Sequence, residues 1–307
     1  MVDVKQWLSE EEVRGLTARS DAQGLIQVAY NWTLITAIFF AVSYWQNPLS
    51  WLLGVLLLGG RQLGLAILMH EAGHGTLFQS PGLNRLIGQW FCAFPILSSL
   101  EAYATSHRGH HARAGSQEDP DLANYVAYPV SVSSFRRKVF RALSGRTGLR
   151  NLLALVKGEG GDLMTRGSKQ QSPLVQGVVT NSILAIVLLA AGVGELYLIW
   201  VVAYLTIYPF AARVRQLAEH GNVNNLYDPD PRQHTRTTLA NGFERLLICP
   251  NRVNFHCEHH LLASVPCYRL PALHGLLRSR GFYDEHGEAL TRGYWAVVRN
   301  AVSSHER

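Results

Sequence analysis

The sequence predicts an all-α integral membrane protein, with four transmembrane helices in two hairpins and a cytoplasmic helical cap. Three observations predict it. Hydrophobic residues make up 48% of the 307 residues and charged residues only 16%, against roughly 25% charged in an average soluble domain. The apolar residues are clumped into paired runs, each pair joined by a short loop without Lys or Arg. Histidines, thirteen in all, gather just beyond the ends of those runs.

The elements follow in order. Residues 1–24 read as a short soluble helix and a polar stretch, with neither a signal nor a transit peptide. Residues 25–45 are apolar and aromatic, long enough at 1.5 Å per residue to cross roughly 30 Å of hydrocarbon. Gln46-Asn47-Pro48 is a turn, and residues 49–69 form the second run, interrupted only by Arg61 and Gln62. The stretch Leu83–Leu100 carries Asn84, Arg85, Gln89 and Pro95 and reads as interfacial or re-entrant. Residues 112–172 are polar and basic, with one helix-like piece around Phe135–Leu143. The second hairpin spans 175–192 and 196–212, and the remainder is polar. The whole chain, 1–307, is thus expected to be a single membrane-embedded domain with a cap formed by 70–172 and 213–307.

Charge sets the expected topology. The loops at 46–48 and 193–195 hold no Lys or Arg, and the segments that flank the hairpins carry nearly all 28 of them. Positive flanks stay in the cytoplasm, so both termini and the cap are expected there. The net charge of +6 fits an anionic membrane face. No basic helix or zinc-finger pattern points to nucleic acid. Cys92, Cys249, Cys257 and Cys267 contain no C-x-x-C pair and suggest no disulfide framework.

The histidines form three clusters: His70-x-x-x-His74, His107-x-x-His110-His111 and His256-x-x-His259-His260, with His220 isolated before the last. Positions i, i+3 and i+4 share a helix face, so each H-x-x-H-H box is expected to present three converging nitrogens. Nine imidazoles are too many for one metal ion and suit two. Imidazole binds iron, copper, zinc and nickel, and the lack of thiolate pairs argues against structural zinc. A nitrogen-rich pair of irons suits O₂ and an unactivated C–H bond, which redox-inert zinc does not. Carboxylates are expected to orient the ligands by accepting the second ring N–H. Glu71, Glu219, Glu258, Asp119 and Asp121 are placed for this, with Asn222 and Asn254 as further candidates. His234, His274, His286 and His305 have no partner at helical spacing and read as solvated surface. Cys257 reads as packing. Arg61, costly inside an apolar run, is expected to pair with a carboxylate or to snorkel.

These boxes resemble those of the membrane fatty acid desaturase superfamily, from His70 to about His274. The stretch Asn254-Phe-His-Cys-Glu-His-His is similar to its third box, although Leu262-Ala263 stands where members commonly have Phe-Pro. The resemblance implies four spanning helices, a cytoplasmic di-iron site with His220 as the lone ligand, O₂ as co-substrate and an acyl chain as substrate. It further implies electrons from a separate carrier, a ferredoxin or a cytochrome b5 type protein. The superfamily also holds lipid and carotenoid hydroxylases and ketolases, which the boxes do not separate. A metal transporter is disfavoured because its ligands would sit at the bilayer midplane, and a zinc hydrolase is separable by metal analysis.

Overall fold

The computed structural model describes residues 2–157 and 173–303. Helix α1 (Glu10–Thr17) opens on a capping box between Ser9 and Glu12. Helix α2 (Asp21–Tyr44) starts at Asp21 rather than Leu25, because Ser20 caps a polar first turn that an apolar run does not reveal. Asn47 and Pro48 then start α3 (Pro48–Gly73), a capping residue followed by the one residue that needs no helical N–H. The apolar run of α3 carries on through the first histidine cluster, and Leu58–Ala72 is buried without interruption.

The Leu83–Leu100 stretch is broken into short pieces: α4 (Pro81–Ile87), a π-helical turn at Gly88–Ala93 and a 3₁₀ turn at Phe94–Ile96. Pro95 lacks a donor and Leu97 turns left-handed (φ 56°), so no straight spanning helix forms there. Helix α5 (Leu100–Arg113) carries the second cluster. After strand β1 (Val130–Ser131) come two helices where one was expected, α6 (Val132–Leu143) and α7 (Arg146–Val156), split at left-handed Gly145. Residues 158–172 of the expected cap, and His305, lie outside the described residues.

Helix α8 (Leu174–Ala190) leads to α9 (Tyr197–Leu205) and α10 (Ile207–His220). The break at Thr206 follows from Pro209, which cannot bond back to the Leu205 carbonyl. The apolar run therefore does not end the helix at 212. Helix α10 continues and delivers His220, buried, at its last position.

The remainder is not all helix. Helix α11 (Pro231–His234) and strand β2 (Thr237–Leu239) precede α12 (Gly242–Leu247), α13 (His256–Leu261) and α14 (Leu270–Ser279). Strand β3 (Leu290–Arg292), α15 (Tyr294–Ala301) and β4 (Val302–Ser303) close the chain. β1 pairs with β4 and β2 with β3, both parallel. These two ribbons qualify the all-α expectation. They arise because distant short segments meet edge to edge, which no local periodicity announces.

Among the described residues, three helical stretches are long and apolar enough to cross a membrane: α2, α3 and Gly194–His220. The 17-residue α8 is a shorter apolar helix, about 25 Å long. The main core joins α2, α3, α9 and α10 through Ile35, Leu58, Leu63, Trp200 and Tyr208, all at most 1% exposed. A second core, around Cys257, Leu273 and Phe282, holds α13 against α14 and α1.

Candidate metal centre

Four elements bring the nine histidines together: α3 with His74 at its end, α5, the end of α10, and α13. They form two groups. The ring nitrogens of His70, His74, His107, His111 and His259 lie within 4.8 Å of one another, and so do those of His110, His220 and His260. His256 Nε2 is 2.9 Å from His220 Nε2 and joins the second group. Each H-x-x-H-H box is therefore divided rather than convergent. At about 100° per residue, i and i+4 point nearly the same way, while the neighbours i+3 and i+4 diverge. So His107 and His111 serve one group and His110 the other. In α13, His256 and His260 serve the second group and His259 the first.

The nitrogen contacts point to cations. His111 Nε2 lies 3.0 Å from both His107 Nε2 and His259 Nε2, and His110 Nε2 lies 3.3 Å from His260 Nε2. His110 Nδ1 donates to Asp119 (2.8 Å) and His220 Nδ1 donates to the His234 carbonyl (3.0 Å). Their Nε2 atoms are then bare lone pairs, facing other ring nitrogens at about 3 Å in a buried site. Two nitrogens at right angles around an ion, each about 2.1 Å from it, sit about 3 Å apart. The donor set fits two metal ions. Burial above all keeps His107, His111, His256, His259 and His260 well below the usual histidine range and His74 at about 3. Neutral imidazole is the form that ligates.

The expected supporting residues divide. Glu71 Oε1 accepts from His70 Nδ1 (3.1 Å), and its Oε2 accepts from Thr76 Oγ1 and the Cys267 N–H. Asp119 takes His110 and also the Tyr125 hydroxyl. Burial alone would raise its carboxyl, but the His110, Tyr125 and Asp121 N–H bonds hold it below the usual range. Asp121, 3.9 Å from His110 Nδ1, is raised by burial. Glu219 Oε1 lies 3.5 Å from His256 Nδ1 without hydrogen-bond alignment, while its Oε2 pairs with buried Arg215 at 3.3 Å. Glu258, by contrast, reaches no box histidine. It accepts from Thr237, His274 and the Tyr283 hydroxyl on the far side of α13. Asn222 donates to the Asn300 carbonyl and Asn254 to the Thr238 carbonyl, so both fasten loops rather than imidazoles.

Four further readings change. His234 and His274 are buried, at 4% and 8% exposure, not solvated. His274 belongs to the Glu258 network. His234 donates through Nδ1 to the Asp228 carbonyl (2.7 Å), its ring lies 5.5 Å from that of His260, and its Nε2 is buried without a partner. No sequence spacing marks either one. His286 is half-buried and bonds Gln233. Arg61 neither snorkels nor meets a carboxylate: it donates to Asn31 Oδ1 and the Leu246 carbonyl. Cys257 is fully buried, in packing contact.

A cavity of about 30 Å³ touches His107 of one group and His110, His220 and His256 of the other, with Tyr103, Arg215 and Glu219 in its wall. It has room for about one water-sized molecule.

A profile of the family described as "Fatty acid desaturase" matches residues 46–294. The chain belongs to this family. It is similar to the dihydrorhizobitoxine desaturase of Bradyrhizobium elkanii, at 29% identity over 81% of this chain and 74% of the relative. The beta-carotene ketolase of Paracoccus sp. (strain PC1) is 26% identical over 72% of this chain and 78% of that one. The chloroplastic omega-3 fatty acid desaturase of Brassica napus is 23% identical over 77% and 63%. The family and its desaturase members make this membrane protein an oxidoreductase.

Proposed function

We propose that this enzyme introduces a double bond into an acyl chain, carried as an acyl lipid or an acyl thioester, in an O₂-dependent reaction at a di-iron centre. The observation that carries it is the division of nine buried or half-buried imidazoles into two adjoining groups with bare Nε2 lone pairs facing each other. In this reading His70, His74, His107, His111 and His259 hold one iron, and His110, His220, His256 and His260 hold the other. When bound, the irons supply O₂ activation and the one-electron chemistry that zinc lacks. Glu71 and Asp119 fix the tilt of His70 and His110 by accepting their Nδ1 protons, and Glu219 supplies negative charge beside His256. Placement of the substrate decides whether a second hydrogen leaves or oxygen is retained, because reacting atoms must be held near contact distance. Electrons come from a separate ferredoxin or cytochrome b5 type donor.

The same reading counts α8 as a fourth span and puts both termini and the metal groups on the cytoplasmic side. The test is expression in a host of known lipid composition, followed by mass spectrometry of its lipids with wild type and His256→Ala. A product two hydrogens lighter, absent with the variant, is expected together with about two irons per chain. Identical profiles overturn the reading. A product one oxygen heavier favours hydroxylation or ketone formation, a reading supported by the likeness to a ketolase along most of both chains.

A further inference from the structure

Away from the histidines, a cavity of about 510 Å³ lies between α2, α3, α12 and the turn after α12. Gln27, Tyr30, Arg61, Arg245, Asn251 and Arg252 supply its polar wall, and no carboxylate lines it. Among the described residues, the arginine ion pairs are made by Arg85, Arg215, Arg232 and Arg280, not by these three. Arg61 is 2% exposed, and its Nε is buried without a partner. Its two bonds, to Asn31 and the Leu246 carbonyl, are to neutral acceptors and leave the charge uncompensated.

The rim is built to stay in place. Asn251 and Arg252 are successive non-glycine residues with left-handed backbone (φ 53° and 65°), a conformation that persists only where surroundings impose it. Asn251 Nδ2 imposes it by donating to the Gly64 carbonyl at 2.8 Å, on the turn of α3 next to Arg61. Arg245 and Arg252 are exposed, so they can close on a ligand from outside while Arg61 meets it from within. Ile26 adds an apolar edge, 54% exposed, on membrane-spanning α2.

A buried guanidinium donor without an anion, two more guanidiniums and an apolar edge match one kind of ligand. Guanidinium binds carboxylate and phosphate through paired charge-assisted bonds, and a charge inside an apolar span is costly until it is matched. We propose that this pocket binds the acidic group, carboxylate or phosphate, of an amphiphile. Arg61 precedes His70 on α3 by about 13 Å of helix, so an amphiphile held here reaches toward the metal groups. It is either the substrate or a resident lipid.

The test uses the full chain as isolated, with its metal, in nanodiscs of neutral lipid. Binding is measured for oleate, oleoyl lysophosphatidate and uncharged oleyl alcohol, for wild type and an Arg245→Gln/Arg252→Gln variant that spares buried Arg61. At least one acid is expected to bind about tenfold or more tightly than the alcohol, the scale of one or two charge-assisted hydrogen bonds. The variant is expected to lose that preference with metal content and thermal transition unchanged. The tighter acid names the group. In turnover, a raised KM at unchanged kcat marks the substrate, whereas unchanged kinetics with loss of a co-purifying anionic lipid marks a resident lipid. Equal binding of acid and alcohol, or unaltered acid binding by the variant, overturns the proposal. Retained acid preference in a chain that makes no unsaturated product leaves the pocket standing and removes the desaturase reading.

Discussion

Glu258 sits in the middle of the third histidine box, yet its carboxylate faces away from the imidazoles. It holds Thr237, His274 and Tyr283 in a site with no exposure. Glu258→Gln removes a buried charge-assisted acceptor shared by three donors. A loss of roughly 2–3 kcal/mol is expected, read by thermal unfolding, with metal still bound by the folded fraction. Proton competition gives a second residue-scale prediction. Burial lowers His74 to about 3 and holds several other box histidines well below their usual range. A depressed imidazole contributes stability that is present above its unfolded value of 6.5. That stability is lost as pH falls from there toward 3, because only the unfolded chain takes up the protons. Metal retention and melting temperature are therefore expected to fall together between about pH 6.5 and 5. A flat profile across that interval contradicts the neutral-imidazole account. The box histidines were legible in the sequence because ligands at i, i+3 and i+4 leave a local pattern. His234 and His274 were not, since burial by distant segments leaves none.

At the scale of elements, α3 carries the design. Its glycines let other chain segments approach the helix backbone. A Cβ on Gly64 would stand 2.2 Å from Asn31 Oδ1, and one on Gly60 would stand 2.7 Å from the Leu246 carbonyl and 2.9 Å from Leu247 Cα. At Gly60 the obstacle is backbone and cannot rotate away. Gly60→Val is expected to destabilise by about 1–3 kcal/mol. Gly275→Ala in α14, with nothing within 4 Å of its Cβ, is expected to be neutral or stabilising by up to about 1 kcal/mol. Denaturation of both in detergent compares them, and equal effects refute the close-approach argument. Apolar runs gave these helices their existence but not their ends. α2 begins in a polar turn and α10 outruns its apolar stretch to reach His220, because caps and burial set helix ends.

For the whole molecule, the first and last parts of the chain meet. Arg280 bonds the Glu12 carboxylate at 2.6 Å, and that pairing lowers Glu12 to about 2. The N-terminal helix is thereby laid on the elements that follow the third box, on the same body as the histidine groups. Sidedness can be tested directly, since Cys92, Cys249, Cys257 and Cys267 are all buried and give little background. Cysteines placed at exposed Gln46 and Glu195 are expected to react with an impermeant reagent from outside intact cells. One at exposed Glu118 is expected to react only after permeabilisation. Outside labelling at Glu118 reverses the topology.

The sequence by itself determined the apolar hairpins, the three boxes and the number of imidazoles, because helical period and hydropathy are properties of neighbours along the chain. Only the tertiary structure decided that each H-x-x-H-H box is shared between two groups, that Glu258 turns from the box histidines to the core, and that Arg61 opens into a cavity with two other arginines. Those outcomes depend on which distant surface each side chain meets, and no local pattern carries that information.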